Sequence, residues 1–328
     1  MIQRDKLLDI YTRTMRVART DEKFRSLLMT GKLASIYYAV RGQELVSAAM
    51  MAALEPDDYL VTTYRGQHDQ VAKGVPLKPL FAEIFGKATG TCRGKGGSMH
   101  ITHPASGVMV TTGVVGSGLP IANGLALASQ NRGDKRVTVA CFGDGASNIG
   151  AFHEALNMAQ LWKLPVVFFC QNNQYAEHTA FADHTEVDRV ASRAAAYGMR
   201  GVRVDDGNDV EALYGAAKEA VDRARAGEGP TLLEAMCYRM MGHFFGADFS
   251  YMPVEHLAEM KAADPLPRLR QTMLDHQFTE AQLDEIVAQI DREVDEAAEF
   301  AVSSPLPGAG ELLKDVFEED IALEGAGA

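Results

Sequence analysis

Residues 137–175 read VTVACFGDGASNIGAFHEALNMAQLWKLPVVFFCQNNQY, and this stretch decides the class of fold. Two runs, at residues 136–142 and 166–170, are largely apolar and lack polar alternation, so each predicts a strand buried on both faces. The segment between them, residues 148–161, repeats its apolar residues at helical spacing. Strand, helix and strand in this order predict one parallel βαβ unit.

The alternation of helix and strand patterns continues outside this unit. Further helices are predicted at residues 4–28, 119–129, 187–197 and 209–225, with strands at 201–204 and 231–237. Three more helices, at 255–263, 266–276 and 279–300, follow the last strand. We therefore predict an α/β fold with a doubly wound parallel sheet, covered by helices on both faces, and a helical C-terminal extension.

Two stretches break this pattern. Nine of the 33 residues from 86 to 118 are glycine, which predicts a long loop, and loops of that length are commonly functional. The second stretch, SSPLPGAG at residues 303–310, precedes an acidic end. We predict one domain over residues 1–302, including the N-terminal and C-terminal helices, and a linker-like acidic tail over residues 303–328.

Composition argues against several classes of function. The 32 Lys and Arg against 44 Asp and Glu give a formal charge of −12, which disfavours a nucleic-acid partner. No apolar run approaches the roughly 20 residues of a membrane helix. The four cysteines form no C-x-x-C pair and are expected to be reduced, and no apolar signal core lies near residue 1. We therefore expect a cytoplasmic protein.

Polar residues follow both strands of the quoted unit. Asp144 follows the first strand and Asn173 the second, at the sheet edge where ligands bind in open α/β folds. A carboxylate and an amide oxygen suit Mg²⁺ when phosphate oxygens and water complete its octahedron. Backbone N–H groups of Gly145 and Ala146, at the predicted start of the next helix, would stabilise an anion. The pattern predicts a diphosphate held through a metal ion.

The sequence resembles the α subunits of thiamin-diphosphate-dependent 2-oxo acid dehydrogenase and acetoin dehydrogenase complexes, from the N-terminal helix to about residue 300. Several short motifs carry the resemblance: GQE (42–44), YRG (64–66), GKGGSMH (94–100), GVVG (113–116), GDGASNIGAFHEALNMAQLWKLP (143–165), QNNQY (171–175), VDDGNDV (204–210), Tyr238-Arg239 and Gly242-His243.

The resemblance implies the thiamin-diphosphate-binding fold, with thiamin diphosphate and Mg²⁺ as cofactors. It also implies an oxidoreductase α subunit that acts within a heterotetramer of two α and two β chains. Such an enzyme decarboxylates a 2-oxo acid, such as pyruvate in pyruvate dehydrogenase, or cleaves acetoin. It then passes the acyl unit to a lipoyl-bearing acyltransferase.

The resemblance also implies roles for individual residues. Those implied to bind the cofactor are Tyr64, Arg65, Gly113, Val115, Asp144, Gly145, Ala146, Asn173, Tyr175 and Arg239. Three of them, Asp144, Asn173 and Tyr175 through its carbonyl, are the implied Mg²⁺ ligands. Gly113 and Val115 would hold the aminopyrimidine through backbone groups. Two arginines and a magnesium ion are suitable counter-ions for a diphosphate.

Two histidines are the candidate catalytic residues. His243 matches the family's histidine above the thiazolium ring and would move protons there. His68 is the second candidate, because the family often has a histidine three residues after the tyrosine that Tyr64 matches, whereas this chain has Gln67 there and His68 one place later. Met241 stands where relatives commonly have another histidine. These departures leave the implied cofactor contacts intact and bear on the identity of the substrate.

Two other functions share the metal motif. One is the N-terminal half of a split transketolase, but residues 146–148 (ASN) and 161–165 (LWKLP) are typical of the dehydrogenase type. The other is a catalytically silent scaffold for a β partner, which would not need Asp144, Asn173, Arg65 and His243 all intact. We identify no glutamate that would activate the cofactor, and resembling enzymes supply it from the β chain.

Overall fold

The computed structural model describes residues 2–315, and its centre is a six-stranded sheet in which every pairing is parallel. The strands are β1 Tyr59–Thr63, β2 Val108–Thr112, β3 Thr138–Gly143, β4 Val166–Asn172, β5 Tyr175–Ala176, β6 Thr179–Ala180, β7 Arg200–Val204 and β8 Thr231–Met236. The sheet has the order β2-β1-β3-β4-β8-β7, and β5 and β6 form a separate antiparallel hairpin. The predicted parallel sheet is confirmed.

The helices lie before, between and after these strands. They are α1 Arg4–Met29, α2 Glu44–Ala52, α3 Gln67–Lys73, α4 Leu77–Ile84, α5 Gly118–Arg132, α6 Gly150–Leu161, α7 Phe181–His184, α8 Val210–Arg225, α9 Val254–Ala262, α10 Pro265–Asp275 and α11 Glu280–Ser303. Short 3₁₀ helices cover Pro104–Ser106, Asp144–Asn148, Val190–Tyr197 and Ala309–Leu313. No helix within residues 2–315 has both the length and the hydropathy needed to cross a bilayer.

Each face of the sheet has its own apolar core, because successive side chains of a strand point to opposite faces. On β3, Val139 and Cys141 contribute to one core, which also contains α1, α2, α4, α8, α10 and α11. Ala140 and Phe142 contribute to the other core, with α5, α6 and the 3₁₀ helix at 190–197. The sheet is therefore covered on both sides, as predicted. All four cysteines are unpaired thiols.

The structure corrects the sequence-based prediction at three places. A loop was predicted throughout residues 86–118, but Val108–Thr112 forms the edge strand β2 and pairs with β1. The glycine-rich surroundings obscured this short run, in which four of five residues are β-branched. The turn after β3 is a 3₁₀ helix at Asp144–Asn148, so Gly145 and Ala146 precede α6 by a full turn. The segment 187–197 is helical only from Val190, and as a 3₁₀ helix.

The carboxylate of Glu83, at the end of α4, organises the glycine-rich loop. Glu83 is fully buried and accepts backbone N–H bonds from Cys92 (2.7 Å), Gly94 (2.9 Å), Gly96 (2.7 Å) and Gly97 (3.1 Å). A Cβ atom on Gly90, in the same loop, would lie 2.3 Å from Oε2 of Glu83. The loop needs glycine because its backbone closes directly around this buried charge.

Residues 304–315 run along the outside of the same loop. The N–H of Ala88 donates to the carbonyl of Pro305 at 2.9 Å, and the hydroxyls of Thr89 and Ser304 are 2.7 Å apart. Lys95 pairs with Asp315 at 2.6 Å on the surface. The domain boundary at residue 303 stays a prediction, and residues 316–328 of the predicted tail lie outside the described residues.

Candidate functional site

The carboxyl ends of β1, β2, β3 and β4 surround a cavity of about 280 Å³. Nine of the ten residues implied for cofactor binding line it, together with His243. These lining residues are Tyr64, Arg65, Val115, Asp144, Gly145, Ala146, Asn173, Tyr175, Arg239 and His243. The fold thus brings distant segments to the sheet edge at which α/β proteins bind ligands.

Asp144 forms the acidic part of the cavity wall. It lies directly after β3 and is fully buried. Its Oδ2 is 3.1 Å from Nε2 of His184, whereas its Oδ1 is buried without a hydrogen-bond partner within residues 2–315. A buried carboxylate oxygen is costly to leave without a donor or a cation. Asp144 Oδ1 therefore fits the role of a metal ligand.

Asn173 directly follows β4, the strand that pairs with β3. Its Oδ1 accepts the N–H of Tyr175 at 3.2 Å, and its Nδ2 donates to Oε1 of Gln43 at 2.8 Å. These bonds fix the tight turn in which Gln174 takes a left-handed conformation, with φ of 71°. An amide oxygen has two acceptor positions, so one remains available on Asn173 Oδ1.

The described residues contain no cluster of three or more His, Cys, Asp or Glu side chains suited to a metal. A cation at this cavity would depend on one carboxylate and one amide oxygen, completed by backbone, ligand and water oxygens. That set of hard oxygen donors is suitable for Mg²⁺ and unsuitable for a structural zinc ion.

Arg65 and Arg239 are two buried cations on the cavity wall, with exposures of 8% and 1%. Their donors reach neutral oxygens: Arg65 donates to the carbonyl of Ala39 at 3.1 Å, and Arg239 to the carbonyl of Glu177 at 2.6 Å and the hydroxyl of Tyr251 at 2.7 Å. Burial, followed by the positive charge of Arg239, lowers the pKa of Arg65 to about 10. Neither guanidinium group has a carboxylate partner in the described part of the chain, and two such adjacent cations suit a ligand that carries more than one negative charge.

His243 lies against the first of these arginines. Arg65 Nη2 is 3.2 Å from His243 Nδ1 and donates to the His243 carbonyl at 2.5 Å. Burial, followed by the charges of Arg65 and Arg239, lowers the pKa of His243 from 6.5 to about 4. The imidazole is therefore neutral at pH 7. Because Nδ1 accepts from a guanidinium group, the ring proton is on Nε2.

An aromatic cluster packs around His243. The ring of Tyr38 lies 4.6 Å from that of Tyr64 and 5.5 Å from that of His243, measured between centroids. The His178 ring lies 6.1 Å from His243. Edge-to-face contacts of this kind hold aromatic rings in fixed orientations. The cluster therefore limits the rotation of the imidazole above the cavity.

Two predicted residues do not reach the cavity. Gly113 lies next to the lining residue Thr112, but not on the wall itself, and it faces His100 of the glycine-rich loop. His68 is buried beneath the cavity, with Nε2 at 3.0 Å from Oε1 of Gln171 and Nδ1 at 3.2 Å from the carbonyl of Arg65. In this arrangement His68 contacts cavity residues and does not itself face a ligand.

Several residues of the site were missed as individual candidates, among them Gln43, Gln171, Glu177 and His184. Gln43 belongs to the GQE motif and was available as a signal, and Gln171 directly precedes the Asn pair. Glu177 and His184 reach the site through the β5–β6 hairpin and α7. Glu177 has a φ of 55°, and the pattern of apolar and polar residues does not predict this left-handed backbone conformation.

Inorganic pyrophosphate should raise the pKa of His243 above about 4 when it binds at Arg65 and Arg239. A polyanion offsets the repulsion that disfavours the imidazolium form, so the pKa moves toward 6.5 and the ring takes up protons between these two pH values. Histidine ring NMR resonances recorded against pH, with and without pyrophosphate, measure the shift. His276, which does not line the cavity, serves as the control. An unchanged His243 titration at saturating pyrophosphate would contradict the electrostatic description of the site.

The chain is similar to one family of enzymes along most of its length. The dehydrogenase E1 component family matches residues 12–309. The chain is 42% identical over 318 residues to the α subunit of acetoin:2,6-dichlorophenolindophenol oxidoreductase from Bacillus subtilis, covering 95% of this chain and 94% of that protein.

Two pyruvate dehydrogenase E1 component α subunits are also similar. The one from Porphyra purpurea is 36% identical, with 97% of this chain and 95% of that protein covered. The one from Zymomonas mobilis is 38% identical, with 95% and 89% covered. Matches of this extent show the family, and the chain belongs to the dehydrogenase E1 components.

Proposed function

We propose that this chain is the α subunit of a dehydrogenase that binds thiamin diphosphate through Mg²⁺ and acts on a 2-oxo acid or on acetoin. One observation carries the proposal. The cavity at the carboxyl ends of β1 to β4 combines two buried arginines with a buried carboxylate oxygen, and within residues 2–315 the arginines have no carboxylate partner and the oxygen has no hydrogen-bond partner. A diphosphate together with a divalent cation satisfies both sets of groups at once.

Each part of the cofactor has residues suited to it. Arg65, Arg239 and the hydroxyl of Tyr64 are suited to the diphosphate oxygens. Asp144 Oδ1, Asn173 Oδ1 and the Tyr175 carbonyl are suited to Mg²⁺. The residues around Asp144 approach closely, since a Cβ on Gly145 would lie 2.7 Å from the Cβ of Ala176. Gly145 therefore allows the β5–β6 hairpin to close against the turn after β3. Gly113 and Val115 are proposed to hold the aminopyrimidine with backbone groups.

When bound, thiamin diphosphate supplies the carbon chemistry, because its ring accepts the electron pair of the bond that is cleaved. His243 is the proposed catalytic residue. Its Nδ1 is held by Arg65, so its Nε2–H is directed as a hydrogen-bond donor to an oxygen of the substrate. His68 does not face the cavity, and a direct catalytic role for it gains no support from this geometry.

Assembly with a second chain is part of the proposal. The similar proteins are named as α subunits. Val114 and Val115, next to the cavity, are 69% and 50% exposed, which leaves an apolar rim for a β chain to cover. We propose a heterotetramer of two α and two β chains that transfers its acyl product to a lipoyl-bearing acyltransferase. The family match favours this function over a split transketolase, and the cavity with His243 on its wall favours it over a silent scaffold.

The replacement Asp144→Asn should abolish tight, Mg²⁺-dependent binding of thiamin diphosphate. Loss of a residue that merely supports a ligand costs about 10–100-fold in metal affinity, so loss of the ligand should cost more than about 100-fold. Calorimetry on the assembled protein measures the change, with circular dichroism as a check on folding. Asp134→Asn, an exposed residue before β3, is the control. Equal affinities of the Asp144→Asn variant and the unmodified protein would refute the proposed metal site.

The replacement His243→Gln should retain the cofactor and lose turnover. The side chain acts on reacting atoms, so kcat should fall by roughly 10²–10⁴-fold, while the dissociation constant of thiamin diphosphate changes little. His153→Gln, an exposed histidine outside the cavity, should leave kcat unchanged. A His243→Gln variant with the original kcat would remove His243 from the mechanism.

The chain on its own should be inactive, and co-expression with its β chain should restore activity. Half of a shared site lacks the groups that activate the cofactor. Assays against a panel of 2-oxo acids and acetoin, with an artificial electron acceptor, would identify the substrate, and light scattering would give the assembly. Unaided turnover by the purified α chain, or a chain that remains monomeric beside its β partner, would contradict the proposed assembly.

A further inference from the structure

A buried carboxylate, Asp69, lies directly beneath the candidate cofactor cavity. It belongs to α3 and is fully buried. Its Oδ1 accepts from the Ser47 hydroxyl at 2.5 Å and from the Gln171 amide at 2.7 Å, and its Oδ2 accepts from the Thr62 hydroxyl at 2.6 Å. Hydrogen bonds to a buried charge are stronger than those between neutral groups. Asp69 therefore connects its own helix, α3, to α2, β1 and β4 through hydrogen bonds.

Two of the partners of Asp69, Thr62 and Gln171, each lie two residues before a residue proposed to hold the cofactor. Thr62 comes two residues before Tyr64 on β1, and Gln171 comes two residues before Asn173 on β4. Gln171 also pairs in register with Gly143, the residue that precedes Asp144. One side chain thus fixes the strand ends from which diphosphate and metal contacts project.

The central strand between these two also faces Asp69. Cys141 lies on β3, three residues before Asp144. Burial, and then the negative charge of Asp69, raise the pKa of the Cys141 thiol well above its usual value. The thiol therefore stays protonated beside the carboxylate. Asp69 thus bonds directly to β1 and β4, and β3 lies between these two strands, paired to β4 in register at Gly143 and Gln171.

Asp69 also determines the orientation of the Gln171 amide. Only an NH₂ group can face the carboxylate at 2.7 Å, so Gln171 Nε2 is directed to Asp69 and Oε1 to His68. His68 Nε2, at 3.0 Å from that oxygen, must then carry a proton.

The close approach of Thr62 explains why residue 66 is a glycine, because a Cβ atom there would lie 2.0 Å from Thr62 Oγ1.

We infer that Asp69 is a positioning residue of the cofactor site, which holds the ends of β1, β3 and β4 in register and, through Gln171, places a proton on Nε2 of His68. The inference rests on the proposed function, because the strand ends in question carry the proposed thiamin diphosphate and Mg²⁺ contacts. It gives His68 a place in the structure that does not require contact with substrate.

The variant Asp69→Asn tests the effect on the site. It should weaken Mg²⁺-dependent binding of thiamin diphosphate to the assembled protein by roughly 10–100-fold, with kcat at saturating cofactor changed by less than about threefold. The matched control is Asp58→Asn. Asp58 is also a fully buried carboxylate, bound by Arg225 at 2.6 Å, but it lies before β1 at the opposite end of the strands. An unchanged affinity in Asp69→Asn, or an equal loss in both variants, would overturn the inference.

A second measurement does not depend on the Asp69→Asn variant or on the cofactor. In the full-length chain labelled with ¹⁵N in its histidine rings, the resonance that His68→Gln removes should show a protonated Nε2. A His68 ring with its proton on Nδ1 alone would overturn the proposed orientation of Gln171. If Asp69→Asn does not fold, Thr62→Val replaces it in the binding assay, because it removes a hydrogen bond to Asp69 at a residue that does not line the cavity; a loss of affinity is expected, and an unchanged affinity would overturn the inference.

The two proposals fail in distinguishable ways. An unmodified assembly that binds no thiamin diphosphate would refute the proposed function, and the protonation of His68 would still decide the arrangement around Asp69. Normal binding by the unmodified assembly together with unchanged affinity in Asp69→Asn would refute only the positioning role.

Discussion

Two like charges, the guanidinium groups of Arg65 and Arg239, are held in one cavity wall, and the electrostatics of the site follow from them. Burying unpaired cations is unfavourable, and here the surrounding oxygens of Ala39, Glu177 and Tyr251 only partly compensate. Burial, followed by these same charges, lowers the pKa of the neighbouring His243 imidazole to about 4 and keeps it neutral at pH 7. A ligand that neutralises both arginines would therefore also stabilise the folded chain, by binding the native state alone.

The fold was largely predictable because its central strands are buried on both faces. Continuous apolar runs such as residues 166–170, and the helical spacing of residues 148–161, predict a parallel sheet covered on both faces. The secondary-structure prediction was wrong or incomplete where a segment's structure depends on pairing with distant parts of the chain and not on its own sequence pattern. The edge strand Val108–Thr112 gains its pairing from β1, and four elements between residues 44 and 84 were not predicted at all.

The candidate site was less predictable from the sequence than the fold was. The positions of Asp144 and Asn173 in the sequence were enough to predict that they lie close together, since polar residues that follow neighbouring buried parallel strands meet at one edge of the sheet. Roles for Tyr64, Arg65 and Arg239 came from the resemblance and stay predictions, and all three residues line the cavity. The partners of these residues were not foreseeable. His184 reaches Asp144 across 40 residues, and His68 faces inward because of how the short helix Gln67–Lys73 packs.

The closure of the glycine-rich loop around Glu83 has a consequence for the order of events in protein synthesis. The loop joins residues far apart in the chain, because Thr89 meets Ser304 and Lys95 meets Asp315. A ribosome releases residues 86–100 long before residue 304 exists, so the nascent loop cannot complete these contacts. His100, at the end of the loop, binds the carbonyl of Thr111 beside the cavity. The glycine-rich loop should therefore take its final form only after residues 304–315 have left the ribosome.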